Sequence, residues 1–189
     1  MKQPNETIDC QDFALRRWRA ESDSDALFRM IEESLDHLRP WMPWVARHSQ
    51  QRTREFLARC DPKWQSGDAY NYAITVNGAL VGSCSLYRAS EPQSLLIGYW
   101  LHPAAIGRGI ATRASAAVVT EAFALPDVAY LEIVHHLANA ASGAIPRRLG
   151  FTEVRREQVT PPAAPSDCGT DVVWRLNRPR SLLNNTPRS

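Results

Sequence analysis

The stretch from Ile97 to Ala122, IGYWLHPAAIGRGIATRASAAVVTEA, limits the choice of fold more than any other part of the chain. An apolar run leads through a short connector to Gly107-Arg108-Gly109 and then into an amphipathic helix. A strand that reaches glycines and opens a helix builds an anion cradle. Glycines let the backbone approach a phosphate, and the first helical N–H groups, which have no partner in the helix, point at it. The helix dipole adds about 0.3–1 kcal/mol. The motif calls for a phosphate-bearing ligand and for a sheet to hold the cradle.

The rest of the chain supplies that sheet. Asp12 to Trp18 reads as a first strand, after a frayed segment over residues 1–9. Ser22 or Asp23 caps a helix with Leu27, Met30, Ile31, Leu35 and Leu38 at helical spacing, stopped by Pro40. A second helix spans about Gln50 to Cys60. Tyr70, Tyr72, Ile74 and Val76 alternate, then Asn77-Gly78, then Leu80, Gly82, Cys84 and Leu86. This is an antiparallel hairpin with a type I′ turn. Strands follow at Ser94–Leu101, Val128–Val134, Phe151–Glu157 and Thr170–Leu176, with helices at Gly109–Leu125 and Asn139–Leu149. Ser94–Leu101 and Val128–Val134 are joined through a helix, so they are parallel neighbours with a right-handed crossover.

The expected fold is thus α/β: a mixed, mostly antiparallel sheet of about seven strands with one parallel pair, and about four helices. Residues 1–176 form one domain of ordinary composition, 44% hydrophobic and 22% charged. The polar stretch 177–189 reads as a disordered tail. A net charge of +2 is too small to argue for nucleic acid. No apolar run approaches the roughly 18 residues of a membrane span, and the N-terminus lacks a signal-like segment. The expectation is a cytoplasmic protein without nucleic-acid or membrane partners. Cys10, Cys60, Cys84 and Cys168 are scattered and read as reduced thiols; with no CxxC or HExxH pattern, no metal site is expected.

Leu38-Arg-Pro-Trp-Met-Pro-Trp44 is a rigid, non-helical apolar loop. Trp41 and Trp44 either plug the core or wall a substrate pocket. For the glycine turn, a dinucleotide fold is disfavoured: Thr112 stands where a third glycine belongs, and five residues separate strand from glycines.

Leu101-His-Pro-Ala-Ala-Ile-Gly-Arg-Gly-Ile-Ala-Thr112, followed by Asn139-Ala-Ala-Ser142 and Arg148-Leu-Gly-Phe151, resembles the GNAT superfamily of acyl-CoA N-acyltransferases. The tryptophan loop and the Asn-x-x-Ser variant look most like its RimJ/RimL-like branch, which acetylates ribosomal-protein N-termini. The resemblance implies acetyl-CoA as cofactor and a splayed parallel strand pair with pantetheine in the gap, against Trp100 and Leu101. The Leu101 N–H would serve the thioester carbonyl and its oxyanion. The amides of Ile106, Gly107, Arg108, Gly109, Ile110, Ala111 and Thr112 would hold the pyrophosphate, with Arg108 and Arg113 as phosphate contacts. Asn139 would contact the pantetheine or the strand edge, and would also cap its helix.

Two positions depart from the family pattern. Ile106 stands for its usual Arg or Gln, and acts through its backbone. Pro146 stands where many relatives carry a tyrosine acid. Ser142 takes over as hydrogen-bond donor to the leaving sulfur. Pro146 has no N–H for the Ser142 carbonyl and crowds it, so the helix is expected to open or kink there and aim the hydroxyl at the sulfur.

The acceptor must be a neutral amine. An α-amine is roughly a seventh neutral at pH 7, a lysine well under about 0.1%. The strand Ser94–Leu101 has no carboxylate, which favours an α-amine or another low-pKa amine. A base working through water could be His135, His136 or Glu91, and the sequence does not choose among them. The implied activity is acetyl transfer to a protein N-terminal or small-molecule amine held by Trp41, Trp44, Tyr72 and Tyr99. Alternatives are acetylation of an amine-bearing antibiotic or peptidyl nucleotide, and a non-catalytic acyl-CoA sensor. The resemblance leaves room for a homodimer.

Overall fold

A computed structural model describes residues 2–89 and 91–179. The strands are β1 (Thr7–Asp9), β2 (Ala14–Arg17), β3 (Ala69–Val76), β4 (Ala79–Arg88), β5 (Ser94–Leu101), β6 (Tyr130–His136), β7 (Thr152–Gln158) and β8 (Thr170–Asn177). The helices are α1 (Ala20–Glu33), α2 (Leu35–Leu38), α3 (Gln50–Ser66), α4 (Ile110–Ala124) and α5 (Ala140–Arg148). One sheet runs in the order β1-β2-β3-β4-β5-β6-β8-β7. Among the described residues only β5 and β6 pair in parallel; every other neighbouring pair is antiparallel.

Differences from the expected elements have local causes. Residues 1–9 are not frayed throughout: Thr7–Asp9 pair with β2 as the eighth strand, and the Asn5 carbonyl accepts the Tyr72 hydroxyl. Ser34 ends α1, its hydroxyl bonded back to the Met30 carbonyl at 2.6 Å. Helix α3 passes Pro62 and continues to Ser66, closed by left-handed Gly67 (φ 80°). The freed carbonyl belongs to exposed Ala58, which is open to solvent, and the extra turn buries Trp64. The apolar loop after Leu38 contains a 3-10 turn, Pro43–Arg47. The hairpin turn has positive φ at both Asn77 and Gly78. Strand β8 reaches Asn177, and Arg178 bonds the Val128 carbonyl, so the tail does not begin at 177. Residues 180–189 of that expected tail lie outside the described residues.

Each sheet face buries a cluster. Tyr70, Tyr72, Ile74, Cys84, Leu86 and Ile97 share the face packed by Ile110, Ala114 and Val118 of α4. Ala73 faces the other way, against Leu27, Met30 and Ile31 of α1 and Leu57 and Cys60 of α3. The molecule is therefore three layers, with α4 and α5 on one side of the sheet and α1 and α3 on the other.

Candidate active site

The parallel pair is short. Ser94, Leu95 and Leu96 match Tyr130, Leu131 and Glu132, and the strands then part. The direction of the β5 backbone groups follows from the ladder. In an antiparallel pair, alternate residues bond the partner. Ala89 donates to the Ser94 carbonyl and His102 donates to the Val81 carbonyl, so the even-numbered residues of β5 face β4. Ala129 donates to the Gln93 carbonyl, so the odd-numbered residues face β6. Past Leu96 there is no β6 to meet them. The Tyr99 and Leu101 peptide groups thus line an open edge inside the sheet, where a ligand with amide groups can bond like a short strand. The Leu101 side chain is buried in the core, so only its backbone is offered.

A cavity of about 920 Å³ passes through this gap. Its wall includes Tyr99, His135, Asn139 and Ser142 on the α5 side, and Ser83, Ser85, Trp100, Trp41 and Trp44 on the α1/α3 side. Trp44 packs on Trp100 with ring centroids 6.0 Å apart. Of the four side chains expected to hold the acceptor, Trp41, Trp44 and Tyr99 line the cavity. Tyr72 does not: it is fully buried between Trp64 and the N-terminal segment. Tyr72, Cys84 and Tyr99 occupy one row across three strands. Only Tyr99, beside the gap, is reached from the cavity.

Asn139 caps α5, its Oδ1 accepting the Ser142 N–H at 3.1 Å. The helix runs unbroken from Ala140 to Arg148 through Pro146, so the expected opening at Ser142 does not occur. The carbonyl that Pro146 cannot serve finds another donor. The Tyr99 hydroxyl donates to the Ser142 carbonyl at 3.2 Å, and the two hydroxyl oxygens are also 3.2 Å apart. The Ser142 hydroxyl faces this phenol and the cavity. Burial, partly offset by the Ser142 bond, pushes the Tyr99 phenol up to about 12, so it stays protonated as a donor.

The glycine turn lies apart from the cavity, on the same side as α4. Gly107 and Gly109 have φ of 78° and 70°, and nothing lies within 4 Å of where a Cβ would stand. This left-handed backbone turns the amides outward. The N–H groups of Gly107, Arg108, Gly109, Ile110, Ala111 and Thr112 have no protein acceptor among the described residues. Ile106 is different: its N–H bonds the Pro103 carbonyl at 3.2 Å, so its amide is not available to a phosphate. Ile110 is fully buried and contributes only its backbone. Arg113 is committed to Asp12 and lies over Phe13, which leaves Arg108 as the exposed guanidinium at the turn.

Among the bases considered, Glu91 sits in the β4–β5 turn, at the far end of β5 from Leu101, and is off the cavity wall. His135 is buried against Gly143 and stacked on Trp174; burial, foremost, holds its pKa below the usual imidazole value. His136 lines the cavity with its Nδ1 2.7 Å from Asp171. That pairing spans 35 residues and depends on the β6–β8 register, so no local sequence signal reveals it.

A gap in the sheet that offers strand-like backbone to an amide-bearing arm, beside a helix N-terminus with free amides, defines an acyl-CoA site. The residues present fit that ligand in cavity, edge and cradle. The family comparison agrees: residues 12–152 match the model described as "Acetyltransferase (GNAT) domain", and the chain belongs to that family. It is an acetyl-CoA-dependent N-acetyltransferase. Among curated proteins, "Putative ribosomal N-acetyltransferase YdaF" of Bacillus subtilis (strain 168) is 28% identical over 137 residues, 69% of this chain and 73% of the relative. Among solved structures, the ribosomal L7/L12 α-N-protein acetyltransferase RimL in complex with coenzyme A superposes with TM-score 0.83 at 26% identity, covering 91% and 98% of the two chains. The microcin C7 self-immunity acetyltransferase MccE, in complex with acetyl-CoA and AMP, shares the fold at TM-score 0.80 and 19% identity, covering 88% and 93%. Among the described residues no helix is long and apolar enough to cross a membrane.

Proposed function

We propose that this chain acetylates a protein N-terminal α-amine in the cytoplasm, by direct attack of the amine on the thioester of acetyl-CoA. The observation that carries the reading is the through-sheet cavity: a thioester held along the Leu101 edge on the α5 side meets an acceptor admitted on the side of Trp41, Trp44 and Trp100. The Leu101 N–H is the donor for the carbonyl oxygen as it gains charge, and the Ser142 hydroxyl is the donor for the departing sulfur. The amides from Gly107 to Thr112, with Arg108, hold the pyrophosphate. Bound acetyl-CoA supplies the activated acetyl group; everything else is positioning by the chain.

An α-amine suits this site because a useful fraction is already neutral at pH 7. RimL and YdaF, both named for ribosomal acetylation, support a ribosomal-protein N-terminus as acceptor. Arg47, Arg52 and Arg59 on the acceptor-side wall favour an acceptor that carries negative charge.

A second reading is acetylation of an amine on a nucleotide-like or antibiotic molecule. The tilted Trp44–Trp100 pair favours it, since an indole face takes a planar ring as readily as a peptide. Coenzyme A release with a panel of N-terminal peptides and aminoacyl nucleotides separates the two. Turnover of the peptides with the aminoacyl nucleotides inert supports the first reading; the reverse supports the second. Tight CoA binding with no turnover on any amine defeats both.

A further inference from the structure

We propose that His136 is the general base of the transfer, held in position by Asp171 and Asp167. The proposal rests on the acetyltransferase reading and adds to it the group that removes the amine proton.

Three observations carry it. First, His136 stands on the acceptor side. Along β6 its row is Glu132, Val134, His136, opposite in face to Leu131 and Ile133, which join the α4 core. Second, its tautomer is set. Asp171 Oδ1 lies 2.7 Å from Nδ1 and Asp167 Oδ2 3.4 Å from it, so the proton sits on Nδ1 and the Nε2 lone pair is available. Third, the other candidate groups are engaged: His48, an imidazole on the same wall, is stacked on Phe28 with its Nε2 3.1 Å from Glu32. Among the described residues Asp171 is the only carboxylate on the cavity wall, and it is turned to His136. Glu132, in the same row, is held by Arg155 at 3.0 Å and Arg175 at 2.7 Å.

Asp167 is a positioning residue. Its oxygens accept the Ala163 and Gly169 N–H groups at 2.9 and 2.8 Å. These bonds and nearby His136 outweigh the effect of burial, its largest single influence, and keep its carboxyl below the usual carboxylate range. Other titratable or charged groups around His136 are neighbouring His135, Glu157 one strand beyond Asp171 in the same row, and Arg47 and Arg52 across the cavity.

In the step, the amine nitrogen forms a bond to the acetyl carbon, and Nε2 of His136 takes the N–H proton. The carbon–sulfur bond then breaks, its electron pair leaves on sulfur under the Ser142 donor, and His136 returns its proton to solvent or to the thiolate. Base and leaving-group donor thus stand on opposite faces of the sheet.

The test is His136→Gln and Asp171→Asn in the full chain, with CoA affinity by calorimetry, kcat and KM with an acceptor the wild type turns over, and imidazole ¹⁵N shifts. His136→Gln is expected to keep CoA affinity and to lower kcat at least about 100-fold. Asp171→Asn is expected to lower kcat with CoA affinity unchanged and to remove the Nδ1–H signature. Should His136→Gln fail to bind CoA, the Asp171→Asn kcat and the wild-type ¹⁵N shifts decide. A His136→Gln enzyme within about threefold of wild-type kcat, or a wild-type Nε2–H tautomer, overturns the proposal. A wild type that binds CoA and acetylates no amine overturns the underlying reading and this one with it.

Discussion

The Tyr99 hydroxyl lies 3.2 Å from the Ser142 carbonyl oxygen, the one acceptor in α5 that Pro146 cannot serve. A proline inside a helix removes a hydrogen bond. Here a phenol from the opened strand restores it, and the same phenol oxygen lies 3.2 Å from the Ser142 hydroxyl oxygen.

Tyr99→Phe removes both contacts and leaves a part-buried carbonyl without a donor. A loss of about 1–3 kcal/mol is expected, seen as a drop of several degrees in Tm. Ser142→Ala, by contrast, is expected to leave Tm and CoA affinity near wild type and to lower kcat about 10- to 100-fold, the value of a hydrogen bond to a charged atom. Thermal melts beside steady-state kinetics distinguish the two; an unchanged kcat for Ser142→Ala removes its role toward sulfur.

Gly109 sits at φ 70° as the N-cap of α4. Alanine at this position meets no atom but does meet the backbone penalty of about 1–2 kcal/mol for a left-handed residue. Gly109→Ala is therefore expected to weaken CoA binding several-fold while the acceptor KM at saturating acetyl-CoA stays put. Calorimetry with CoA is the measurement.

Trp44 is 42% exposed, an unusual setting for so large an apolar side chain, and it leans on Trp100 at the acceptor mouth. Trp44→Ala is expected to raise acceptor KM about tenfold or more, with CoA affinity unchanged, since a wall residue contributes to binding before it contributes to chemistry.

Burial pushes the Cys84 thiol and the Tyr99 phenol each up to about 12. In the unfolded chain these groups lose protons near pH 8.5 and 10. Between those values and 12 the folded state binds more protons than the unfolded one, so stability falls as pH rises. The urea midpoint is expected to hold up to about pH 8.5 and to decline from there toward pH 11. Cys84→Ala is expected to flatten the first part of that decline.

Alternation and turn chemistry made most of the fold legible. Asn77-Gly78 predicted its hairpin, and the helix between β5 and β6 predicted the parallel pair. Short or non-local features escaped. Strand β1 has three residues, too few for a period to register. Pro62 hid the last turn of α3, which an exposed carbonyl and buried Trp64 allow. In the site, Ser142, Tyr99, Trp41 and Trp44 were named from the sequence and meet at one cavity. Tyr72 was misplaced because a period of two says which residues share a face, not how near each stands to the gap. Asp171 was missed because only the β6–β8 register brings it to His136.

The parting of β5 from β6 also has a consequence for traffic. On the proposed reading, donor and acceptor approach from opposite faces of the sheet, so neither must wait for the other to vacate the site. A bulky folded acceptor can remain docked while spent coenzyme leaves and fresh coenzyme arrives behind it. Initial-rate plots at several fixed acceptor concentrations should then intersect rather than run parallel, and neither product should have to depart before the second substrate arrives.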